Sequence, residues 1–119
     1  MEKELTINLY QFMGDDRLSG RTSDDGSPSA ESFRKHVTAN WDQYERISIL
    51  LDSVVEMTRP FLDEAFAKLL EEHTLEEFNQ KIYFPDAKEK MVQDLNNAFK
   101  IRLKIIQSKL EKESGEFGL

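Results

Sequence analysis

Few residues of this 119-residue chain could do chemistry, and they are poorly matched. There is no Cys, which excludes disulfides, thiolate metal sites and a cysteine nucleophile. Two histidines are present, His36 and His73. His36 has neither a second His nor an acid at i+4, the spacing that places two metal ligands on one helix face. It lies beside an apolar stripe and reads as a surface or core-edge residue. Glu71, Glu72, His73, Glu76 and Glu77 form an acidic cluster. Carboxylates can take a divalent cation, but an acidic helix end is ordinarily a solvated surface. Gly14, Gly20 and Gly26 have the wrong spacing and context for a phosphate-binding loop. A Ser–His–Asp set can be assembled on paper from any chain with two histidines. The expectation is a protein that is not an enzyme, with no catalytic residue, metal or cofactor.

What must position any site is one domain. The length suits a single core, and 39% hydrophobic with 33% charged residues fits a globular chain. The expected boundaries are 1–113 for the domain and 114–119 for a flexible tail. Apolar runs such as Ile49-Leu50-Leu51 fall far short of the roughly 20 residues that span a bilayer. The start, MEKELTINLY, lacks the pattern of a secretory signal. A cytoplasmic setting without membrane contact is expected.

Sixteen Lys and Arg stand against 23 Asp and Glu, a formal charge of −7, which argues against a nucleic-acid partner. The charge is unevenly spread. Asp63, Glu64, Glu71, Glu72, Glu76 and Glu77 face only Lys68, whereas the last helix carries Lys100, Arg102, Lys104, Lys109 and Lys112. Two solvated faces, or a basic partner patch on the last helix, would each account for this.

Period-two alternation over Glu4 to Phe12, with Leu5, Ile7 and Leu9 on one face, predicts a strand. Arg17 to Arg21 is a candidate second strand of a hairpin. Ser27-Pro28 predicts a helix start, followed by a stripe of Phe33, Val37, Trp41 and Tyr44. Trp41 and Tyr44 read as core rather than as a base-stacking platform. Arg46 to Val55 predicts a central strand covered on both faces. Thr58-Arg59-Pro60 then opens an amphipathic helix through Leu70. Thr74 and Glu77 predict a capping box. Lys81 to Phe84 reads as a short strand, and Asp86 to Glu89 as a second capping box for a helix to about Lys112. That helix carries a main stripe from Met91 to Leu110, and Ile101 and Ile105 lie off it on a second stripe. A helix with two apolar stripes implies a partner helix, a second copy of the chain, or packing back over the sheet.

Two stretches together carry a resemblance. One runs from Gly20 to Arg34, GRTSDDGSPSAESFR. The other is Ile49-Leu50-Leu51-Asp52 followed by Pro60-Phe61-Leu62-Asp63-Glu64-Ala65-Phe66. Both resemble a bacterial family of STAS-like proteins of unknown function, over roughly Leu5 to Arg102. That family is similar to anti-sigma-factor antagonist domains. The resemblance implies an α/β fold, with a small mixed β-sheet of about four strands and three main helices packed mostly on one face. It also implies a regulatory signalling module that binds a protein partner, such as a histidine-kinase-type ATPase. Anti-sigma-factor antagonists are phosphorylated on a Ser at the start of the helix after the central strand. The STAS-like family often keeps a Ser just before its Phe. Pro60 stands there in this chain and removes that switch.

The nearest hydroxyl is Thr58, an N-cap candidate. The expected partner-binding residues are Asp52, Thr58, Arg59 and Asp63, with Ile101 and Ile105 as an oligomer or partner stripe and a homodimer as one outcome. The alternative is a small-ligand or nucleotide site in the Asp52–Pro60 loop. Arg21, in the loop after the first strand, is expected to pair with Asp24, Asp25 or a sheet carboxylate.

Overall fold

The computed structural model describes residues 2–117, so the tail expected over 114–119 lies partly outside the described residues. β1 (Glu2–Asn8) and β3 (Tyr44–Leu50) run parallel, with Leu5 opposite Ile47 and Ile7 opposite Ile49. β5 (Ile82–Tyr83) pairs parallel with β3 on its other side, giving the order β1-β3-β5. Ile47, Ser48 and Ile49 are all buried. A central strand hidden on both faces is what the continuous apolar run implies.

The chain is α/β, as expected, but its strands are arranged differently from the expected four-stranded mixed sheet. Among the described residues, five short strands form two sets, of three and two, and the pairings there are parallel. The hairpin fails because β1 ends at Asn8. The Asn8 side chain accepts the Gln11 N–H at 3.0 Å and caps α1 (Leu9–Met13). Gly14, at φ 75°, then ends α1 in the left-handed region that glycine enters without a steric penalty. The chain emerges turned away from β1. β2 (Arg17–Leu18) pairs instead with β4 (Glu56–Met57), which follows the central strand.

α2 (Ala30–Asn40) is capped by Ser29 rather than Ser27. Ser29 Oγ accepts the Ser32 N–H, and Ser32 Oγ accepts the Ser29 N–H. Ser27 is used earlier, where its N–H donates to Asp25 Oδ1. A short 3₁₀ turn at Trp41–Gln43 then delivers Tyr44 to β3 rather than to the helix stripe.

β3 stops at Leu50 instead of reaching Val55, and Asp86 is the reason. Its carboxylate accepts the N–H groups of Leu51 at 2.8 Å and Asp52 at 3.0 Å. The Val54 N–H closes a turn onto the Leu51 carbonyl, with Ser53 at φ 72°. The expected cap of the last helix is thus spent on the end of the central strand. Asp86→Ala leaves two backbone donors without their acceptor, which should lower unfolding free energy by roughly 2 kcal/mol in urea titration.

α3 (Arg59–Ala65) is shorter than expected. It breaks at Phe66 and continues as a 3₁₀ turn over Ala67–Glu71. Every residue from Phe61 to Ala67 is buried, so this segment is covered on all sides rather than along one amphipathic face. The capping box of α4 (Leu75–Lys81) forms as the spacing predicts: Thr74 and Glu77 exchange hydrogen bonds at 2.8 and 3.0 Å. Hydrogen bonding to Thr74 holds the Glu77 carboxyl below its usual range.

α5 (Glu89–Phe117) buries Leu95, Ala98, Phe99 and Arg102. Its 29 residues span about 43 Å at the helical rise. Leu103 and Leu110 were expected in its buried stripe, but they are 38% and 54% exposed. The helix outruns the body it packs on. The radius of gyration, 15.2 Å, exceeds the roughly 13.5 Å expected of a rounder chain of this length.

Candidate functional site

α3 carries two adjacent acids, Asp63 and Glu64, that are both buried. A buried carboxylate must be paired to stay charged, and four cations from four different segments meet these two. Arg102 of α5 forks onto Asp63, with Nε donating to Oδ1 at 2.9 Å and Nη2 to Oδ2. Arg21, from the loop after β2, donates from Nη1 to Asp63 Oδ2 at 2.6 Å and lies 3.4 Å from Glu64. Arg34 of α2 and Lys68 of the 3₁₀ turn each sit 3.0 Å from Glu64. Arg21 therefore pairs with neither Asp24 nor Asp25 but ties its loop to α3.

Burial alone would push the Asp63 carboxyl up. Hydrogen bonds and charge from Arg102 and then Arg21 outweigh that and hold it below the usual carboxylate range. The guanidinium groups of Arg21 and Arg102 are raised in turn, chiefly by their hydrogen bonds to Asp63. This network fixes α2, α3, α5 and the Arg21 loop to one another. It contains no nucleophile–base pair.

A depression of about 320 Å³ opens over this network between α3 and α5, lined by Arg21, Arg59, Asp63, Arg102, Ile101 and Ile105 among others. Arg59 makes no ion pair or side-chain hydrogen bond among the described residues. Ile101 and Ile105 also line a second hollow farther along α5, between Lys104, Lys109 and Lys112. In the other direction, Arg59 and Ala98 lead through a small depression to Met57 and Asp94. Those two lie on the edge of a groove of about 640 Å³ under the 53–58 loop, with Lys88, Lys90 and Met91. The depressions share residues end to end, so they trace one furrow along α5.

Among the α5 residues that line the furrow, Met91, Asp94, Ala98, Ile101, Ile105, Ser108 and Lys112 form its central row, flanked by Lys90, Asn97, Arg102, Lys104 and Lys109. The central row alternates in steps of three and four, the seam spacing by which one helix receives another.

The structure thus regroups the residues expected from sequence. Arg59 and Asp63 come together with Ile101 and Ile105, which the sequence left as a separate stripe. Thr58 lines the 53–58 groove instead. It occupies the N-cap position of α3 without a side-chain cap bond, and its buried Oγ1 has no hydrogen-bond partner among the described residues. Asp52 lies outside all these depressions, exposed, its N–H held by Asp86. The residue that sequence reasoning missed is Arg102. An arginine three positions after Phe99, on the buried side of α5, was the available signal.

Neither imidazole is placed as a base. His73 stacks flat on Trp41, with centroids 3.8 Å apart, and His36 lies against Phe12. Among the described residues, no group of three His, Asp or Glu could hold a metal ion, and no helix is long and apolar enough to cross a membrane.

A family model described as a STAS-like domain of unknown function matches residues 29–92, just over half the chain. No curated protein and no solved structure matches.

Proposed function

We propose, from the premise that this chain belongs to the family of STAS-like domains of unknown function, that it is a non-enzymatic interaction module whose furrow along α5 receives an amphipathic helix of a protein partner. The observation that carries this reading is the α5 seam. Ile101 and Ile105 supply apolar steps at helix-in-groove spacing over the buried Ala98, and Ile105 is 37% exposed. The flanks are basic: Arg59, Arg21, Lys104 and Lys109 border the same furrow, and Lys112 closes its far end.

In a chain of net charge −7, this local basic strip favours an acidic partner helix. It disfavours a second α5, which would bring lysines against lysines. The resemblance to anti-sigma-factor antagonists supports a regulatory role and a signalling partner, such as a histidine-kinase-type ATPase, in a cytoplasmic setting. Pro60 leaves the usual phosphoserine position without a hydroxyl, so control in this reading passes through partner affinity.

Photo-cross-linking from position 105 should trap an acidic amphipathic segment of another protein. Ile105→Glu should weaken capture of that segment by roughly a hundredfold, because it buries a charge against the seam and repels an acidic partner. Light scattering should find a monomer at tens of micromolar. Cross-links confined to a second copy of this chain, with a dimer abolished by Ile105→Glu, would overturn the reading in favour of self-association.

A second reading has its own observation, the groove under the 53–58 loop with the buried Thr58 Oγ1, which has no hydrogen-bond partner among the described residues. A small ligand or nucleotide bound there would raise the melting temperature in a saturable way. Thermal shift across a nucleotide panel separates it from the first reading.

A further inference from the structure

We infer that the pocket between α3 and α5 is an oxyanion site that reads a carboxylate or phosphate group carried on an apolar side chain. This rests on the helix-docking reading for its biological ligand, but the chemistry belongs to the pocket itself. Three arginines and one acid line it: Arg21, Arg59, Arg102 and Asp63. The formal balance there is +2 (three positive, one negative), against −7 for the whole chain.

The three arginines differ in what they have left to give. Arg102 is 8% exposed, and Asp63 holds its Nε and Nη2. It contributes fixed charge rather than free donors. Arg21 spends only Nη1 on Asp63 and Glu64 while its side chain stays 44% exposed, so Nε and Nη2 face no acceptor among the described residues. Arg59 is exposed and unpaired among the described residues.

Two guanidinium groups with free donors beside a buried charge pair form a fork-shaped anion trap. Planar bidentate donation suits carboxylate and phosphate alike. Asp63 does not spoil the trap, because Arg102 and Arg21 already satisfy its oxygens. It orients both guanidinium groups and leaves the surplus charge facing out. Ile101, Ile105, Pro60 and Ala98 form the remaining wall. An anion attached to an apolar group is therefore favoured over a bare ion.

The test is NMR titration of the full chain at constant ionic strength with phenyl phosphate, phenylacetate and uncharged benzyl alcohol. Both anions should produce saturable shifts in Arg59, in residues 98–105 and in the arginine Nε–H signals of Arg21 and Arg59. Benzyl alcohol should produce almost none. Arg59→Gln removes an exposed, unpaired side chain, so the fold should persist while both anions bind roughly tenfold more weakly. Lys35→Gln, on an exposed part of α2, should leave binding unchanged.

Tighter binding of phenyl phosphate would point to a phosphorylated partner, and equal or tighter binding of phenylacetate to an acidic one. Either supports the site. Shifts that fail to saturate and spread over the α5 lysines would overturn it, as would anion affinities untouched by Arg59→Gln. If the site fails while Ile105-dependent capture of a helix persists, the docking reading stands without it. If capture fails while the anions bind through Arg59, the oxyanion site stands alone.

Discussion

Replacing Asp63 by Ala is expected to lower the unfolding free energy by about 3 kcal/mol in urea titration. Removing one partner of a buried pair strands the other charge, which typically costs roughly 3–5 kcal/mol. The lower end applies because Arg102 keeps Glu71 at 3.9 Å and Arg21 can turn to water. The double substitution Asp63→Leu with Arg102→Met should recover most of that loss, since an apolar pair leaves no uncompensated buried charge and the half-exposed Arg21 keeps Glu64 and water.

The Asp63 contribution also sets a pH dependence. Its carboxyl titrates below the ordinary value when folded. Its stabilisation is therefore fully present above the unfolded pKa of about 4 and is lost as pH falls through the folded value. The difference between the wild-type chain and Asp63→Ala should be constant near neutrality and shrink below about pH 4. A difference that grew on acidification would refute the assigned ion pairs.

The largest expected loss of stability is at Phe66. Its ring lies 5.5 Å from Phe33, 5.4 Å from Phe84 and 6.5 Å from Phe61, all at steep interplanar angles, and it is fully buried. It joins α2, α3 and the segment after β5. Phe66→Ala should cost about 4 kcal/mol, from lost transfer energy and the cavity left behind. That is a large share of the roughly 5–15 kcal/mol available to a domain of this kind. Phe66→Leu should cost roughly 1–2 kcal/mol, because most of the volume remains. Chemical denaturation of both variants checks the ratio. Similar losses in the two would mean that the edge-on aromatic geometry matters more than the filled volume.

The elements whose cause is local were legible from sequence. Thr74 and Glu77 form their capping box because both partners lie within one helical turn. The run around Ile47 to Leu50 forms the central strand because nearly every side chain there is apolar. Elements whose cause is distant were misplaced. The apolar run does not mark the end of β3 at Leu50, since Asp86 takes the Leu51 N–H from 35 residues away. Nothing local marks the two-stranded β2–β4 pairing either, because β4 exists only once the 51–55 turn has folded back.

The candidate site divides the same way. Arg59, Asp63, Ile101 and Ile105 stood out by residue type and spacing, but as two unrelated groups. Their union depends on α3 crossing α5, which the Asp63–Arg102 pair secures across 39 positions of sequence. By itself the sequence determined the α/β class, the family, the buried central strand and the missing hydroxyl at Pro60. The strand and the missing hydroxyl follow from periodicity and single residue identities, and the class and family from the resemblance carried by residues 20–34 and 49–66. Only the tertiary structure decided that Asp63 is an internal anchor with Arg21 and Arg102, and that Arg59 and the isoleucine stripe share one furrow. Ion pairing and groove formation depend on which segments meet in space, and no spacing along one segment encodes that meeting.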